Sequence, residues 1–454
     1  MSDSPIQTTV WTCPSSSPDP GLLRPMVMSV FQMQHRFTGV AAEDALIHAL
    51  LLGIGLAGTY LNWKRHEPQS PPQVGRCSAT FALQEDECPW WMRLSLCHPV
   101  AFQKRVNDLA RNEFLKQPSP AQVRLERDRA MMLRDWMPHT AANMMIASRA
   151  RQRPQNVDFL LKMPERGWFK QAHSQFGDDR LLIVTGNRDY QRLIKNREIP
   201  PYLLEMESGG NNWPRVTLHG WLQQDILIRT IRTLDAESAG RLGWLVPVGS
   251  GRLQMGTDPD QHPVLNDLFH QMVLLRLKRT PCFAPPEEIA ARIEAATADL
   301  GTLLATQPAH LRRLSLHDDQ LVWQLCALLS YLGKGNREHE LFEHELHEVV
   351  DAAAAIAGRI VATHINVLRQ ALPSGRHNDL LARPIIDRLA KGAATLRELV
   401  RSFHKTRTDA VEASLQRLEH DGLVARIDGN KWAFVQVPLP DLSALMSEVV
   451  VNSP

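Results

Sequence analysis

The sequence predicts an α/β protein that is mostly helical. Three observations carry this. Short apolar runs bounded by turn residues sit in the middle of the chain, at Arg180–Thr185 (RLLIVT, then Gly186-Asn187) and Leu242–Val248 (LGWLVPV); such runs are typical of buried strands. From Pro263 onward helical patterns dominate. Near the C-terminus, Thr395–Val435 places two short helices ahead of two strand-like runs. With 454 residues, 44% of them hydrophobic, the chain is long enough for two or three domains with a sizeable core.

The elements are expected in this order. The first 40 residues, rich in Ser, Pro and Thr as far as Met26, form a flexible tail. A helix runs from about Ala41 to Trp63. Its apolar stretch Leu46–Leu61 is short of the ~20 residues a membrane span needs, and His48 interrupts it. It reads as a buried core helix. Glu67–Gly75 (EPQSPPQVG) is a loop, and Cys77–Leu83 a strand. Pro99–Leu115 and Ala121–Trp136 read as helices with basic outer faces. After the strand at Arg180–Thr185, Val216–Leu218 and Leu242–Val248 supply two more. Helices follow at about Pro263–Leu277, Glu287–Ala305, Asp318–Tyr331 and Glu340–Ala371. No internal repeat is visible.

The last segment is the most specific. A helix carries Leu396, Leu399 and Val400; a polar turn spans Arg401–Thr408; a second helix puts Val411, Leu415 and Leu418 on one face. Leu423–Ile427 and Trp432–Val435 then flank Asp428-Gly429-Asn430-Lys431, residues suited to a tight hairpin. This is the order of a winged helix-turn-helix domain. In such folds the N-terminal residues of the second helix meet bases or phosphates. Here those are His404, Lys405, Arg407 and Thr408, with Lys431 beside the hairpin tip. Arg376–Lys431 holds eleven Lys/Arg against eight Asp/Glu, a modest excess, and Asp409 and Glu412 would repel phosphate. Two roles stay open: contact with DNA, or packing against protein.

Net charge is +2, from 51 basic and 49 acidic residues, so no global field steers the chain to nucleic acid. Lys104–Arg153 is locally basic, with eleven Lys/Arg and five Asp/Glu. Arg105, Arg149, Arg151 and Arg153 belong to a phosphate-binding surface or to a solvated helix face with partners such as Arg124/Asp128. The six cysteines include no CxxC pair, which suggests free thiols and a cytoplasmic location.

Other constellations are weaker. His339, His344 and His347 lie close together, but neither HExxH nor HxxEH occurs, so an exposed helix start outweighs a zinc site. Cys77, Cys88, Cys97 and His98 match no common zinc spacing. Gly249-Ser250-Gly251-Arg252 lacks the strand–loop–helix context of a nucleotide site. Neither a metal nor a cofactor is expected, and GxSxG is absent.

The order of segments resembles a family of P-loop ATPase-like proteins of unknown function from prophages and mobile elements, associated with primases and helicases. Four stretches carry it: Glu43–Trp63, Arg180–Ile194, Trp213–Leu227 with Ser238–Val248, and Glu345–Leu368. The resemblance implies a RecA/AAA-like core over 41–262, a helical domain over 263–375, a winged helix over 376–438 and a tail over 439–454. The departures matter more. No GxxxxGK[ST] stands anywhere in the chain. Where the loop would follow Ala79–Leu83, the residues are Gln84-Glu85-Asp86-Glu87, whose carboxylates repel a triphosphate. The strand at Leu181–Val184 ends in Thr185-Gly186 rather than an acid that helps hold Mg²⁺. The family's late arginine falls about where Trp244 stands.

The expectation is therefore a degenerate relative, with no catalytic residues. It would contact double-stranded DNA (single-stranded DNA as the lesser option) through Lys405, Arg407, Thr408 and Lys431, with Arg105, Arg149, Arg151 and Arg153 adding phosphate contacts. Other proteins of a mobile-element or antiviral-defence complex would be further partners, and a membrane would not. Two alternatives remain: a divergent nucleotide-dependent helicase-like enzyme, or a scaffold that binds protein only.

Overall fold

The computed structural model describes residues 37–38, 42–57, 61–65, 73–74, 77–83, 160–161, 180–184, 216–234, 242–248, 252–253, 282–312, 320–334, 341–373, 380–403, 406–427, 430–442 and 445. Residues 1–36 of the expected tail, the helices expected over 99–115, 121–136 and 263–277, and the whole basic stretch 104–153 lie outside them.

The protein is α/β and mostly helical. Its strands are β1 (Phe37–Thr38), β2 (Asn62–Trp63), β3 (Gln73–Val74), β4 (Ala79–Leu83), β5 (Leu160–Leu161), β6 (Arg180–Val184), β7 (Val216–Gln223), β8 (Trp244–Val248), β9 (Arg252–Leu253), β10 (Ala394–Thr395), β11 (Val424–Ile427) and β12 (Lys431–Phe434). Its helices are α1 (Ala42–Ala57), α2 (Gln224–Thr233), α3 (Glu287–Ala305), α4 (Ala309–Arg312), α5 (Leu321–Lys334), α6 (Glu343–Ala371), α7 (Ala382–Leu389), α8 (Leu396–Ser402) and α9 (Thr408–His420).

A five-stranded sheet, ordered β5-β6-β7-β4-β8, lies at the centre. Every neighbouring pair is parallel. Parallel strands need covered faces, and β4 accordingly buries all five of its residues. Helix α1 supplies one cover: Leu46, Ile47, Leu50, Leu51 and Ile54 are buried against Phe81, Trp221 and Trp244 in one core. The apolar stretch is thus a core helix. No helix among the described residues is long and apolar enough to cross a membrane.

Strand β8 is an edge of that sheet, and two residues suit it to the position. Pro247 lacks an N–H to leave unpaired, and His364 on α6 accepts the Leu245 N–H through Nδ1 at 3.1 Å. Helix α6 is 29 residues long, hence about 43 Å. Its buried run Ala352–Gly358, all small except Ile356, lets α3, α5 and β8 approach closely.

Several expected boundaries are corrected. The first helix stops at Ala57, and Asn62–Trp63 instead pairs with Gln73–Val74 inside the expected loop. The strand expected at Val216–Leu218 extends to Gln223 and leads straight into α2, a helix the sequence reading missed. At the end of the expected tail, Phe37–Thr38 pairs with Arg252–Leu253.

Candidate nucleic-acid interface

The C-terminal unit builds up from its apolar spacing. Helix α7 buries Ala382, Ile385, Ile386 and Leu389, the i, i+3, i+4, i+7 pattern of one helix face. Thr395 caps α8: its hydroxyl accepts the Glu398 N–H at 3.2 Å, and the Glu398 carboxylate accepts the Thr395 N–H at 2.7 Å. This reciprocal cap satisfies two otherwise orphaned donors. Helix α9 buries Val411, Ser414, Leu415 and Leu418. It ends in a Schellman turn: Leu423 N–H donates to Leu418 O (2.8 Å) and Gly422 N–H to Glu419 O (3.0 Å).

Gly422 sits at φ +67, and nothing lies within 4 Å of where a Cβ would be. Gly422→Ala is therefore expected to cost about 1–2 kcal/mol from backbone strain alone, read as a lower urea midpoint. An unchanged midpoint would show that the turn tolerates a side chain.

The turn delivers the chain into β11, which pairs with β12; β10 adds on the far side of β12, giving the order β10-β12-β11. Trp432 is buried beneath the hairpin, with the Arg426 guanidinium 4.6 Å from its ring centroid.

This unit is fastened to the core at several points. Arg232 on α2 donates from Nε to Ala371 O (2.8 Å) and from Nη2 to Gln370 O (3.3 Å) and Asp387 Oδ1 (3.2 Å). It thereby caps the C-terminal end of α6 and holds α7 to it. Asn366 pairs with both backbone groups of Val437, at 3.0 and 2.7 Å. Arg369 donates to Val435 O and Gln307 Oε1. Beyond the hairpin, Val437, Leu442 and Leu445 are buried in the main core.

The candidate contact residues divide unevenly. Arg407 is the N-cap residue of α9, with an extended backbone and no side-chain cap bond; Thr408 is the first helical residue, and both are exposed. Lys431 opens β12, exposed, in register with Ile427 on one side and Thr395 on the other. Lys405, Arg105, Arg149, Arg151 and Arg153 lie outside the described residues. Asp409, Glu412 and Glu419 are exposed on α9, against one exposed arginine, Arg417.

The sequence reading did not single out Arg388, Lys391, Arg397 and Arg401. Lys391, Arg397 and Arg401 are exposed, and Arg388 is half-buried with Nη1 on Gly392 O. Glu398 lies between them. Its carboxyl is held below the ordinary range by the Thr395 backbone N–H, then by the Thr395 hydroxyl, with Arg388 and Lys431 adding charge. The i, i+4 spacing of Arg397 and Arg401 was available in the sequence. The pairing of β10 with β12, which brings Lys431 beside α8, was not.

Of the other groups weighed, His344 is exposed and stacks on Phe342, and His347 hydrogen-bonds to Arg292, which also binds Asp351. Cys77, Cys282 and Cys326 are free thiols, the buried Cys326 pushed up by desolvation and then by Asp351. Among the described residues, no three His, Cys, Asp or Glu side chains converge as a metal site would require. No protein-family model matches the chain, and no curated protein matches its sequence.

Proposed function

We propose that this chain is a DNA-associated subunit without catalytic activity: a winged helix carried on a degenerate RecA/AAA-like P-loop core. The observation that carries the reading is the C-terminal unit. Its order of helix, strand, helix, helix and hairpin, with the first strand paired to the last, supports a winged helix-turn-helix, whose second helix would dock on DNA.

The central sheet supports the second half. Numbered along the chain, its strands lie in the order 2-3-4-1-5, all parallel. The first strand is thus inserted between the fourth and fifth. Strand direction of progression reverses there, which in open α/β sheets marks the ligand crevice. The side chains for phosphoryl transfer do not follow. No GxxxxGK[ST] exists, Gln84-Glu85-Asp86-Glu87 succeeds the first strand, and Trp244 is buried against His364. Fold alone does not carry activity. The partner class is double-stranded DNA, within a multi-protein complex of a mobile element or of a defence against one.

Anisotropy of labelled duplex DNA with the full chain tests this. Log K is expected to fall linearly with log salt as counterions are released. A flat or absent response would sink the DNA reading. The strand order also favours a divergent nucleotide-dependent enzyme as the second reading. Thermal stabilisation by millimolar ATP with Mg²⁺ would raise that reading, and no shift would retire it.

A further inference from the structure

The exposed cations of the C-terminal unit are unevenly distributed. Along α9, from Thr408 to His420, Asp409, Glu412 and Glu419 stand exposed with Arg417, whose Nε is turned onto the Ala413 carbonyl of its own helix; Arg407 at the N-cap and Arg426, 3.9 Å from Glu419, offset part of that charge. The other side is basic. Arg397 and Arg401 occupy one face of α8, a helical turn apart. Lys431 joins them because β12 pairs with β10, the strand that leads into α8. Arg388 and Lys391 come from the end of α7, and Arg388 and Lys431 both act on Glu398, the one carboxylate among them. That side therefore holds five cations and one anion within a compact stretch of the fold.

Resting on the reading that this unit binds DNA, we propose that the contact is made by the α8–hairpin side, through Arg388, Lys391, Arg397, Arg401 and Lys431. It acts as a sequence-independent grip on the phosphates of duplex DNA, and the exposed face of α9 does not read bases.

Two physical arguments favour this. Phosphate affinity scales with the number of cations that displace counterions, and on α9 the exposed Asp409 and Glu412 would repel phosphate. Base readout runs most often through Arg, Lys, Asn or Gln reaching base edges; from the N-cap to His420, the exposed side chains of these types are Arg407, Gln416 and Arg417, the last turned onto its own helix. An acidic protein partner fits less well. Protein interfaces anchor on buried aromatic and apolar residues, whereas among the described residues of α8 and the hairpin the exposed large apolar side chain is Ile427.

The test uses the full chain and duplexes of two unrelated sequences, titrated across salt by anisotropy. Arg397→Ala/Arg401→Ala/Lys431→Ala is expected to weaken binding at low salt at least 10-fold. Its salt slope should fall by about 2.7, roughly 0.9 per lost phosphate contact. Arg397→Lys/Arg401→Lys should retain binding, which separates charge from folding. Asp409→Ala/Glu412→Ala should bind as well as or better than wild type, and the two sequences should differ less than about threefold.

If wild type binds but the triple variant keeps its affinity and slope, this inference fails while the DNA reading stands. If Arg407→Ala/Thr408→Ala abolishes binding to one duplex only, α9 reads bases and the inference is overturned. Equal affinity for polyglutamate would overturn nucleic acid as the partner. Absence of any salt-dependent DNA binding by wild type would remove the underlying reading itself.

Discussion

Gly243→Ala is expected to destabilise the protein by about 2–5 kcal/mol, the sum of a positive-φ penalty and an unrelieved clash. Gly243 sits at φ +65, and a Cβ there would lie 2.1 Å from Ser78 O and 2.3 Å from its carbonyl carbon. Both are backbone atoms, so no rotamer change relieves them. Nor can the strands simply part. Trp244 N–H donates to Ser78 O at 2.9 Å, and Thr80 Oγ1 donates to Leu242 O at 2.6 Å. These contacts set the register in which β4 and β8 run side by side from Ala79 and Trp244. Displacing β8 would also pull Leu245 N–H from His364 and shift Trp244 in the core. Chemical denaturation of the full chain reads the cost. Gly422→Ala is the internal comparison, because it has the positive φ without the clash. Equal losses at the two sites would show that the close approach at Ser78 is not rigid.

Acid is expected to remove about 6 kcal/mol of stability between pH 7 and pH 5, roughly 2 from each of three buried histidines. Burial pushes His48 down to about 3, with the nearby His219 adding to the effect. Burial likewise pushes His219 down to about 4, against a hydrogen bond with Cys77 O at 2.9 Å that favours its charged form. His364 is pushed down to about 3 by burial. Unfolded imidazoles titrate near 6.5, so below that pH the unfolded chain binds protons that the native chain refuses. Stability is therefore full above about pH 7 and falls as pH drops toward 3–4.

The three rings sit within aromatic packing. His48 lies edge-on to Phe81 at 4.8 Å, His219 to the same ring at 5.8 Å, and His364 to Trp244 at 5.3 Å. Protonation would place charge beside Phe81 and Trp244 in the core. Urea midpoints measured from pH 8 to pH 5 test this, and a flat profile would contradict it. His364→Asn keeps a side-chain acceptor within reach of Leu245 N–H without a titrating ring, and should remove about a third of the acid sensitivity.

How far the chain was legible depends on what each element uses to form. Helix α3 matches its expected span of Glu287–Ala305, and α6 starts three residues late but ends at Ala371 as expected. Both are long and locally periodic. The buried face of α9 was also readable, because Val411, Leu415 and Leu418 repeat at helical spacing. Helix α2 was not. The run WLQQDILIRT joins a strand to a helix without Gly or Pro between them, and local pattern alone has no means of dividing it. Strands β2 and β3, two residues each, form only because a neighbour pairs with them.

At the candidate interface the difference is one of assembly. Arg407, Thr408 and Lys431 were identified from position in a motif, and each proves exposed. The gathering of Lys431 with Arg397, Arg401 and Arg388 depends on β10 meeting β12, a contact between residues more than 30 positions apart in the chain.

The sequence by itself determined the class of the protein, its long helices, the buried character of Leu46–Ala57, and a C-terminal helix–helix–hairpin order. Each follows from periodicity or turn chemistry within a few residues. Only the tertiary structure decided the strand order that puts the first strand between the fourth and fifth, the docking of the C-terminal unit through Arg232 and Asn366, and the side of that unit on which its cations collect. Those properties arise from pairings between distant segments. Their energy comes from register, burial and close approach in space, and no local window of sequence contains it.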